Sequence, residues 1–319
     1  MQRTNVVIRS FEWDDLPAMV DVTNRSVECN QEDQFVTLEA LNARFAAPYF
    51  SPQANSFVAL VDGQLVGYCT AELDPRNGRA WGLGHVHPDW RGQGIGTALL
   101  RRADDRHRER AAQELAPGME VVCTRHSRDI NTPAVTLLEA EGYQVARVTW
   151  FMRMTLDVPI TPPALLEGIS LHPFSLEQDT YAVYEAINEF FKDNWGFVAL
   201  PFDVWRHYNV GSQLNEALWL VARQDNQIVG LCLCRPWGDG KPDLGWVDPL
   251  GVRADWRRRG LGSALLQHGF RRLQEHGYTA VGLDVDSENQ TNAVGLYERA
   301  GMHVHRRYLI YQKTLTREQ

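Results

Sequence analysis

The sequence predicts a mixed α/β fold built twice over: two tandem domains, each a twisted mixed sheet of about six strands flanked by helices. Three observations predict it. Residues 89–100 read D-W-R-G-Q-G-I-G-T-A-L-L and residues 255–266 read D-W-R-R-R-G-L-G-S-A-L-L, identical at eight of twelve positions at an offset of 166. A second set, Ala134, Leu137, Glu139 and Gly142, recurs at an offset of 159 as Ala293, Leu296, Glu298 and Gly301. Strand-length apolar runs alternate with helical periodicity in the same order in both halves, on either side of an aperiodic stretch holding Pro159, Pro162 and Pro163.

The elements follow in order. The first domain, residues 1–156, opens with a strand over Val6–Phe11 and helices over Asp14–Val27 and Leu38–Phe45. Strands Phe57–Val61 and Leu65–Thr70 flank Asp62-Gly63, a hairpin signal. Strand Trp81–Val86 runs into the first basic turn, and a long charged helix leads from Gly94 to about Arg110. Strand Met119–Thr124, helix Thr132–Glu141 and strand Val145–Leu156 complete this half. Residues 157–168 read as a linker. The second domain, 169–319, repeats the series: strand Ile169–His172, helices Leu176–Phe191 and Phe202–Tyr208, strands Leu218–Ala222 and Ile228–Cys234. After the second basic turn come its helix, with Leu266, Phe270 and Leu273 at helical spacing, then strand Tyr278–Val285, helix Asn292–Ala300 and strand Val304–Leu315.

Composition narrows the function classes. The chain has 319 residues, 44% hydrophobic and 23% charged, as in ordinary globular proteins. A net charge of −8 argues against nucleic acid or an anionic membrane as partner. No apolar run approaches the ~20 residues of a membrane span, and no apolar signal core follows the N-terminus. Five cysteines, an odd and sparse set, point to reduced thiols and a cytoplasmic setting. Cys232-x-Cys234 reads as strand filling; His85-x-His87 and His303-x-His305 lack the further ligands of a zinc set, so no metal is expected.

The chemistry concentrates at the second turn. Arg257, Arg258, Arg259, Gly260, Leu261, Gly262 and Ser263 form a basic, glycine-containing helix start after the apolar strand that carries Leu250, Gly251 and Val252. Glycine permits close backbone approach. The first N–H groups of a helix lack internal partners, so the turn suits a phosphate. A nucleoside triphosphate loop would need Gly-Lys-Ser/Thr, and a dinucleotide turn G-x-G-x-x-G; neither is present.

Arg257-x-x-Gly260-x-Gly262, with the later run containing Leu283, Asn289, Ala293, Leu296, Tyr297 and Gly301, resembles the GNAT acetyltransferase superfamily. The arrangement resembles its tandem two-domain members, the mycothiol synthase-like bacterial acetyltransferases. The resemblance implies acetyl-CoA as cosubstrate, its pyrophosphate held at the turn, with Asn289 in the second motif contributing. It implies direct attack of an amine on the thioester, with a backbone N–H near Leu250 to Val252 polarising the carbonyl. Tyr297 stands where the family's thiolate-protonating tyrosine stands, and a phenol of pKa ~10 holds its proton at neutral pH. The family's strand glutamate is missing from 243–256. Asp248, on the same strand face as Leu250 and Val252 by its two-residue spacing, is the candidate base, with Asp284 and Asp286 as rivals.

The resemblance also locates an acceptor pocket on the first two helices of the second domain. That segment carries Phe190, Phe191, Asn194, Trp195, Gly196, Phe197, Phe202, Trp205 and Tyr208, most of them expected in the core. The run 194–197 breaks helical periodicity and suits a loop beside a ring-containing or partly apolar amine. The first domain keeps its turn, Arg91, Gln93, Gly94, Gly96 and Thr97, able to present amides to a nucleotide. It places Leu138 opposite Tyr297 and His85 and His87 opposite Gly251 and Arg253, and so reads as degenerate. The expected partner is a small-molecule amine, with the chain a monomer or homodimer. The competing functions are a non-catalytic coenzyme A sensor and a protein N-acetyltransferase.

Overall fold

The computed structural model describes residues 5–211, 214–238, 241–289 and 293–316. The chain clusters into two compact units.

The first unit begins with β1 (Val6–Ser10), a 3-10 turn at Trp13–Asp15, α1 (Leu16–Cys29), α2 (Leu38–Phe45) and a short α3 (Pro52–Asn55). Then come β2 (Ser56–Val61), β3 (Gln64–Thr70), β4 (Glu72–Asp74), β5 (Arg79–Trp81), β6 (Gly84–Val86), α4 (Ile95–Glu114), β7 (Val121–Arg128), α5 (Thr132–Ala140) and the start of β8 (Gln144–Thr155). The expected strands 65–70 and 81–86 are each continued or broken by a short piece. At the break, the backbone at Gly82 lies against Thr70: a Cβ there would stand 2.0 Å from the Thr70 carbonyl oxygen. Only glycine fits. The sheet therefore divides. Strands β1-β2-β3-β6 form one part, and β4-β5-β7 another, so β6 and β7 do not pair.

The second unit contains β9 (Ile169–Pro173), α6 (Leu176–Phe191), α7 (Phe202–Asn209), β10 (Trp219–Gln224), β11 (Gln227–Pro236) and β12 (Leu244–Val252). It continues with α8 (Leu261–Glu275), β13 (Ala280–Asp286), α9 (Ala293–Arg299) and the start of β14 (His303–Leu315); Asn292, expected to open α9, lies outside the described residues. Strands β9, β10, β11 and β12 pair antiparallel in sequence, and β13 joins β12 in parallel. The alternation of the strands sends side chains to two layers. Leu220, Cys232, Val247 and Leu283 pack with Leu265, Phe270 and Leu273 of α8. Trp219, Val221, Leu231 and Leu233 pack with Val183, Phe190 and Trp205 of α6 and α7. Helix α8 lies close on the sheet because Gly269 and Gly245 leave room: a Cβ at either would come within 2.5 Å of Cys232 Sγ or Leu273 Cδ2 respectively.

The compact units do not follow the domain limits expected from sequence, 1–156 and 169–319. Residues 150–156 cluster with the second unit, and the chain from Arg307 onward clusters with the first. The physical reason for the second exchange is a ladder and a buried charge. Tyr308–Leu315 of β14 pair antiparallel with β7, Arg128 to Val121. Tyr311 and Leu315 enter the core of the first unit, while Lys313 Nζ donates to the buried Asp104 carboxylate at 3.0 Å. Tyr143 donates to the same carboxylate at 2.7 Å, and Arg125 stands 3.7 Å away. The segment expected as a linker has no regular structure between 156 and 168, yet it is fastened to the second unit. Gln274 of α8 donates to the carbonyls of Leu156 and Val158 and accepts from Ile160 N–H, at 2.7, 2.9 and 3.0 Å.

Lys313→Met should remove the nearest cation from a buried carboxylate and cost about 1.5–3 kcal/mol, the range for a hydrogen bond to a charged group. Urea unfolding followed by tryptophan and far-UV signals measures this; a change under 0.5 kcal/mol would show that Arg125 and Tyr143 suffice for Asp104.

Candidate active site

The site starts where a ladder ends. Strands β12 and β13 pair through Leu244↔Ala280, Gly245↔Val281 and Trp246↔Gly282, and then stop. Both strands continue, β12 to Val252 and β13 to Asp286. On its other edge β12 stays paired with β11, through Cys232↔Leu250, Leu231↔Gly251 and Gly230↔Val252, with a register shift across Cys232/Cys234. The shift places Asp248 and Pro249 in a bulge, which bends a strand and increases its twist. The extra residue breaks the two-residue alternation, so Leu250 and Val252 pack with Val247 against the core and Asp248 does not share their face as its spacing implied. Pro249 in addition has no N–H to give. The result is a cleft between two strands whose facing backbone groups are open to a ligand.

The basic turn lies at the head of this cleft. Arg253 N–H donates to Val229 O, Trp256 N–H to Arg253 O, and the first α8 bond runs from Ala264 N–H to Gly260 O. The N–H groups of Leu261, Gly262 and Ser263 precede that bond and form the helix start. Gly260 has φ +89° and Arg258 φ +60°, both in the left-handed region. For Arg258 this is a strained backbone held by its surroundings. A Cβ on Gly262 would make ordinary contact with Val252 and Leu296, so this glycine leaves a surface open rather than filling a tight packing position.

The arginines divide into two kinds. Arg257 does not face outward: its Nε donates to Val252 O at 3.0 Å and its Nη2 to Phe190 O at 2.9 Å. It fastens the turn to the strand and to the end of α6. Arg258 and Arg259 are exposed, the latter over the Trp256 ring at 5.0 Å. The first unit repeats this construction. Arg91 donates to Val86 O at 3.4 Å, Ser26 Oγ at 2.9 Å and Asn30 Oδ1 at 3.1 Å, so it too ties the turn to the first helix. His87 N–H bonds Val66 O, Trp90 N–H bonds His87 O and Ala98 N–H bonds Gly94 O, matching the second unit bond for bond. Gly92 (φ +74°) stands where the second unit has Arg258, and Gly94 (φ +82°) matches Gly260. Gln93 is exposed and Thr97 half-buried, while a Cβ on Gly96 would press on Leu137 at 3.1 Å.

Tyr297 is buried on α9, 8% exposed, within the core under the cleft. Burial raises its pKa well above the ordinary phenol, and the neighbouring Cys232 and Asp248 act in the same direction. It therefore holds its proton. The three aspartates separate by their bonding. Asp248 is exposed and ion-paired with Arg235 Nη2 at 3.0 Å. The Asp286 carboxylate accepts Glu288 N–H at 2.9 Å and shapes the turn that leads to Asn289. Asp284 reaches solvent but is crowded by protein, and burial together with the charge of Asp248 pushes its pKa up to about 7, against the opposing pull of Arg235. Arg235 gave no signal in the sequence, because its meaning depends on the β11–β12 register.

Of the aromatics expected at an acceptor pocket, Phe190 and Trp205 are core. Phe191 lies half-buried against Gly251, where a Cβ would be 2.9 Å from its ring, and Phe197 is 6.4 Å from it. Gly196, at φ +75°, turns the loop that holds Asn194 and the exposed Trp195. Phe202 packs edge-on against Tyr184, and Tyr208 is exposed.

The first unit carries other side chains at the matching positions. Leu138, opposite Tyr297, is buried in its core. His85, opposite Gly251, lies 5.5 Å from the Tyr68 ring and is pushed down to about 4 by burial, Arg91 and Arg44, so it is neutral at physiological pH. The nearest thing to a metal-ligand set among the described residues is Asp104, His107 and Cys123. Tyr143, Lys313 and Arg125 already surround its carboxylate, which opposes a cation there. All five cysteines are free thiols, and no described helix is long and apolar enough to cross a membrane.

A split sheet with a phosphate-type helix start at its opening, present twice, defines a tandem acyl-CoA-dependent acetyltransferase. The comparisons agree. Residues 180–302 match the acetyltransferase (GNAT) family and residues 52–145 an acetyltransferase (GNAT) domain. The mycothiol acetyltransferase of Nocardiopsis dassonvillei is 30% identical over 289 residues, covering 82% of each chain. That of Thermomonospora curvata is 31% identical over 264 residues, again with 82% of each covered. A GCN5-related N-acetyltransferase from Sphaerobacter thermophilus superposes with TM-score 0.81 at 29% identity, over 98% of this chain and 96% of that one. A tandem GNAT protein from the clavulanic acid biosynthesis pathway shares the fold, with TM-score 0.76 at 15% identity, over 99% and 100%. The chain belongs to the GNAT acetyltransferase family.

Arg257→Met should destabilise the protein without any ligand present, by about 1–3 kcal/mol, since two carbonyls lose a charged donor. Arg91→Met should do the same. Chemical denaturation in the absence of coenzyme A tests this; unchanged stability would return Arg257 to the role of a phosphate ligand.

Proposed function

We propose that the second unit transfers an acetyl group from acetyl-CoA to a primary amine of a small molecule. The observation that carries this reading is the cleft beyond Trp246 and Gly282, headed by the α8 N-terminus and with Tyr297 beneath it. The open N–H groups of Leu261, Gly262 and Ser263, with Arg258 and Arg259 beside them, fit a pyrophosphate. The open edge near Leu250, Gly251 and Val252 fits an extended chain and a polarised carbonyl. Acetyl-CoA supplies the activated acetyl group as a thioester. Tyr297 delivers a proton to the departing sulfur, and its raised pKa keeps that proton available at any physiological pH. The name of the relatives, mycothiol acetyltransferase, puts a mycothiol-related acceptor at the head of the amines to be tried.

The decisive experiment offers a panel of amines with acetyl-CoA and scores free thiol. Tyr297→Phe should lower kcat by roughly a hundredfold, the low end for a positioned acid because a thiolate of pKa ~8.5 already leaves well, and should leave acetyl-CoA affinity unchanged. Unaltered kcat where chemistry limits the rate would remove Tyr297 from the reaction; calorimetric binding with no turnover of any amine would favour a coenzyme A sensor.

The working half is the second, with the first as scaffold. Gly262→Val should abolish acetyl transfer by intruding on the turn, while Gly96→Val should leave a folded protein active. The opposite pattern would reassign the chemistry to the first unit. Arg258→Gly separates strain from ligation: it relieves a left-handed arginine, so stability should hold or rise by up to about 1 kcal/mol, while calorimetry should show weaker coenzyme A binding.

A further inference from the structure

We propose that the first unit carries a docking groove, on the edge of β1 beside α4, for an extended acidic segment of a partner protein. The groove stands whether or not the second unit transfers acetyl groups.

It begins with an open strand edge. β1 ends its sheet, whose order is β1-β2-β3-β6, so it lies on the opposite side of that sheet from β6 and the first basic turn. Phe11 N–H donates to Ser56 O at 3.0 Å, and the β1–β2 register runs unbroken from Val6↔Val61 to Ser10↔Phe57. In an antiparallel ladder, hydrogen-bonded pairs alternate with open ones. Val7, Arg9 and Phe11 are therefore bonded to β2, while Val6, Ile8 and Ser10 turn their backbone groups outward. Ser10 O is taken by Arg9 Nη1 at 2.9 Å. Ile8 N–H and C=O have no partner among the described residues. An edge of this kind accepts one more strand.

Side chains shape the rest, a groove of about 450 Å³. Phe57 pairs with Ser10, and Ile8 lies two residues from Ser10, so Ile8 and Phe57 share a face. Both pack with Ile95 and Leu99 of α4. Ala98, Arg101, Arg102 and Asp105 form the far wall, at the spacing of one helix face. Arg102 lies over the Phe57 ring at 4.0 Å. Of the lining arginines, Arg9 is held by both oxygens of Asp15 at 2.8 and 2.7 Å, and Arg101 by both of Glu141 at 2.8 and 2.7 Å. Arg102 gives Glu109 a single bond at 3.0 Å. Its other donors have no partner among the described residues, so it is the anchor for an anion. Asp105, the acid on the lining, is exposed and paired with Arg108 at 2.7 Å. The groove is thus a basic feature on a chain of net charge −8.

The duplication shows what kind of occupant such a place takes. At the offset of 166, Ala98, Arg101 and Arg102 correspond to Ala264, Gln267 and His268 of α8, and the edge strand of that unit is β9. There the chain itself lies against the helix. Residues 157–168, without helix or strand, place Ile160 and Leu166 on the apolar cluster beneath α8, and His268 Nε2 donates to Pro163 O at 3.3 Å. The first unit leaves its groove open and exchanges glutamine and histidine for two arginines. It fits an extended segment too, with a carboxylate where the second unit has a neutral carbonyl.

The side chains of that segment follow from strand geometry. A strand added to β1 places the residue opposite Ile8 on the α4 face, over Phe57 and within reach of Arg102. A glutamate there makes a charge-assisted bond. Its neighbours fall on the other face, beside Val7, which is 51% exposed, and the stem of Arg9. Apolar β-branched residues suit those positions. A second copy of this chain does not: two β1 edges paired about a two-fold axis would bring two arginine walls together on one face.

Calorimetry on the full-length protein with the capped peptide acetyl-Thr-Val-Val-Glu-Val-Thr-amide should show one site per chain. Replacing the peptide's glutamate with glutamine, or Arg102→Gln in the protein, should each weaken binding at least tenfold, the worth of a hydrogen bond to a charged group. The two changes together should weaken it little further. Arg101→Gln should cost less than Arg102→Gln, and methylating the glutamate's amide nitrogen should cost as much. Hydrogen exchange should slow at least tenfold at the Ile8 amide when peptide is added. The peptide changes keep the test sound should Arg102→Gln fail to fold. Equal affinity for the glutamine peptide, exchange protection away from β1, or no binding at millimolar peptide would overturn the proposal. Butyrate binding as tightly as the peptide would replace it with a small-anion site. A concentration-dependent dimer that protects the Ile8 amide without peptide would replace it with self-pairing.

Discussion

Between Trp246 and Gly282 a parallel ladder ends, and each strand goes on with a row of N–H and C=O groups that its neighbour no longer satisfies. Backbone polar groups shut away from water need partners. Ending a ladder within a sheet is therefore costly unless water or a ligand completes it. The second unit is built around this opening. The bulge at Asp248-Pro249 bends β12 away, the β11 ladder holds its other edge, and Gly245 and Gly269 let α8 settle closely enough to aim its N-terminus at the gap. Arg257 then locks the turn by reaching two carbonyls on different elements. An arginine can do this because its guanidinium presents several donors in a rigid plane.

The first unit shows which parts of this arrangement recur and which do not. Its turn repeats the hydrogen bonds, the two left-handed residues and the arginine lock, and its sheet also parts, between β6 and β7. What differs are side chains around the turn and on the neighbouring elements: leucine for tyrosine, a neutral histidine for glycine, glycine for the strained arginine. A turn of fixed conformation can be copied unchanged while the side chains around it diverge. The conformation depends on glycine and on backbone bonds, and the chemistry depends on a few side chains.

Electrostatics opposes stability at the same place. Desolvation first and the charge of Asp248 second push the Asp284 carboxyl up to about 7. The buried Asp104 is compensated: it has a lysine, an arginine and a tyrosine around it. At Asp284 the pull of Arg235 offsets desolvation and the charge of Asp248 only in part.

The order of elements, the duplication and the position of Tyr297 were legible in the sequence. They rest on local properties: apolar periodicity, glycine at left-handed positions, and identical short runs at a fixed offset. The role of Arg257 was not legible, because a basic residue beside a helix start reads as a phosphate ligand until its donors are seen on Val252 and Phe190. Neither was the influence of Asp248 on Asp284. The two are 36 residues apart, and only the parallel register of β12 with β13 brings their charges near one another. The limits of the compact units were hidden for the same reason, since a proline-rich segment looks like a boundary whereas the pairing of β14 with β7 and the burial of Lys313 beside Asp104 decide where the chain packs. The sequence by itself determined what each segment would become, through short-range sterics and hydrophobic spacing. Tertiary structure decided which charges meet and which backbone edges stay open, because those depend on registers between strands far apart in the chain.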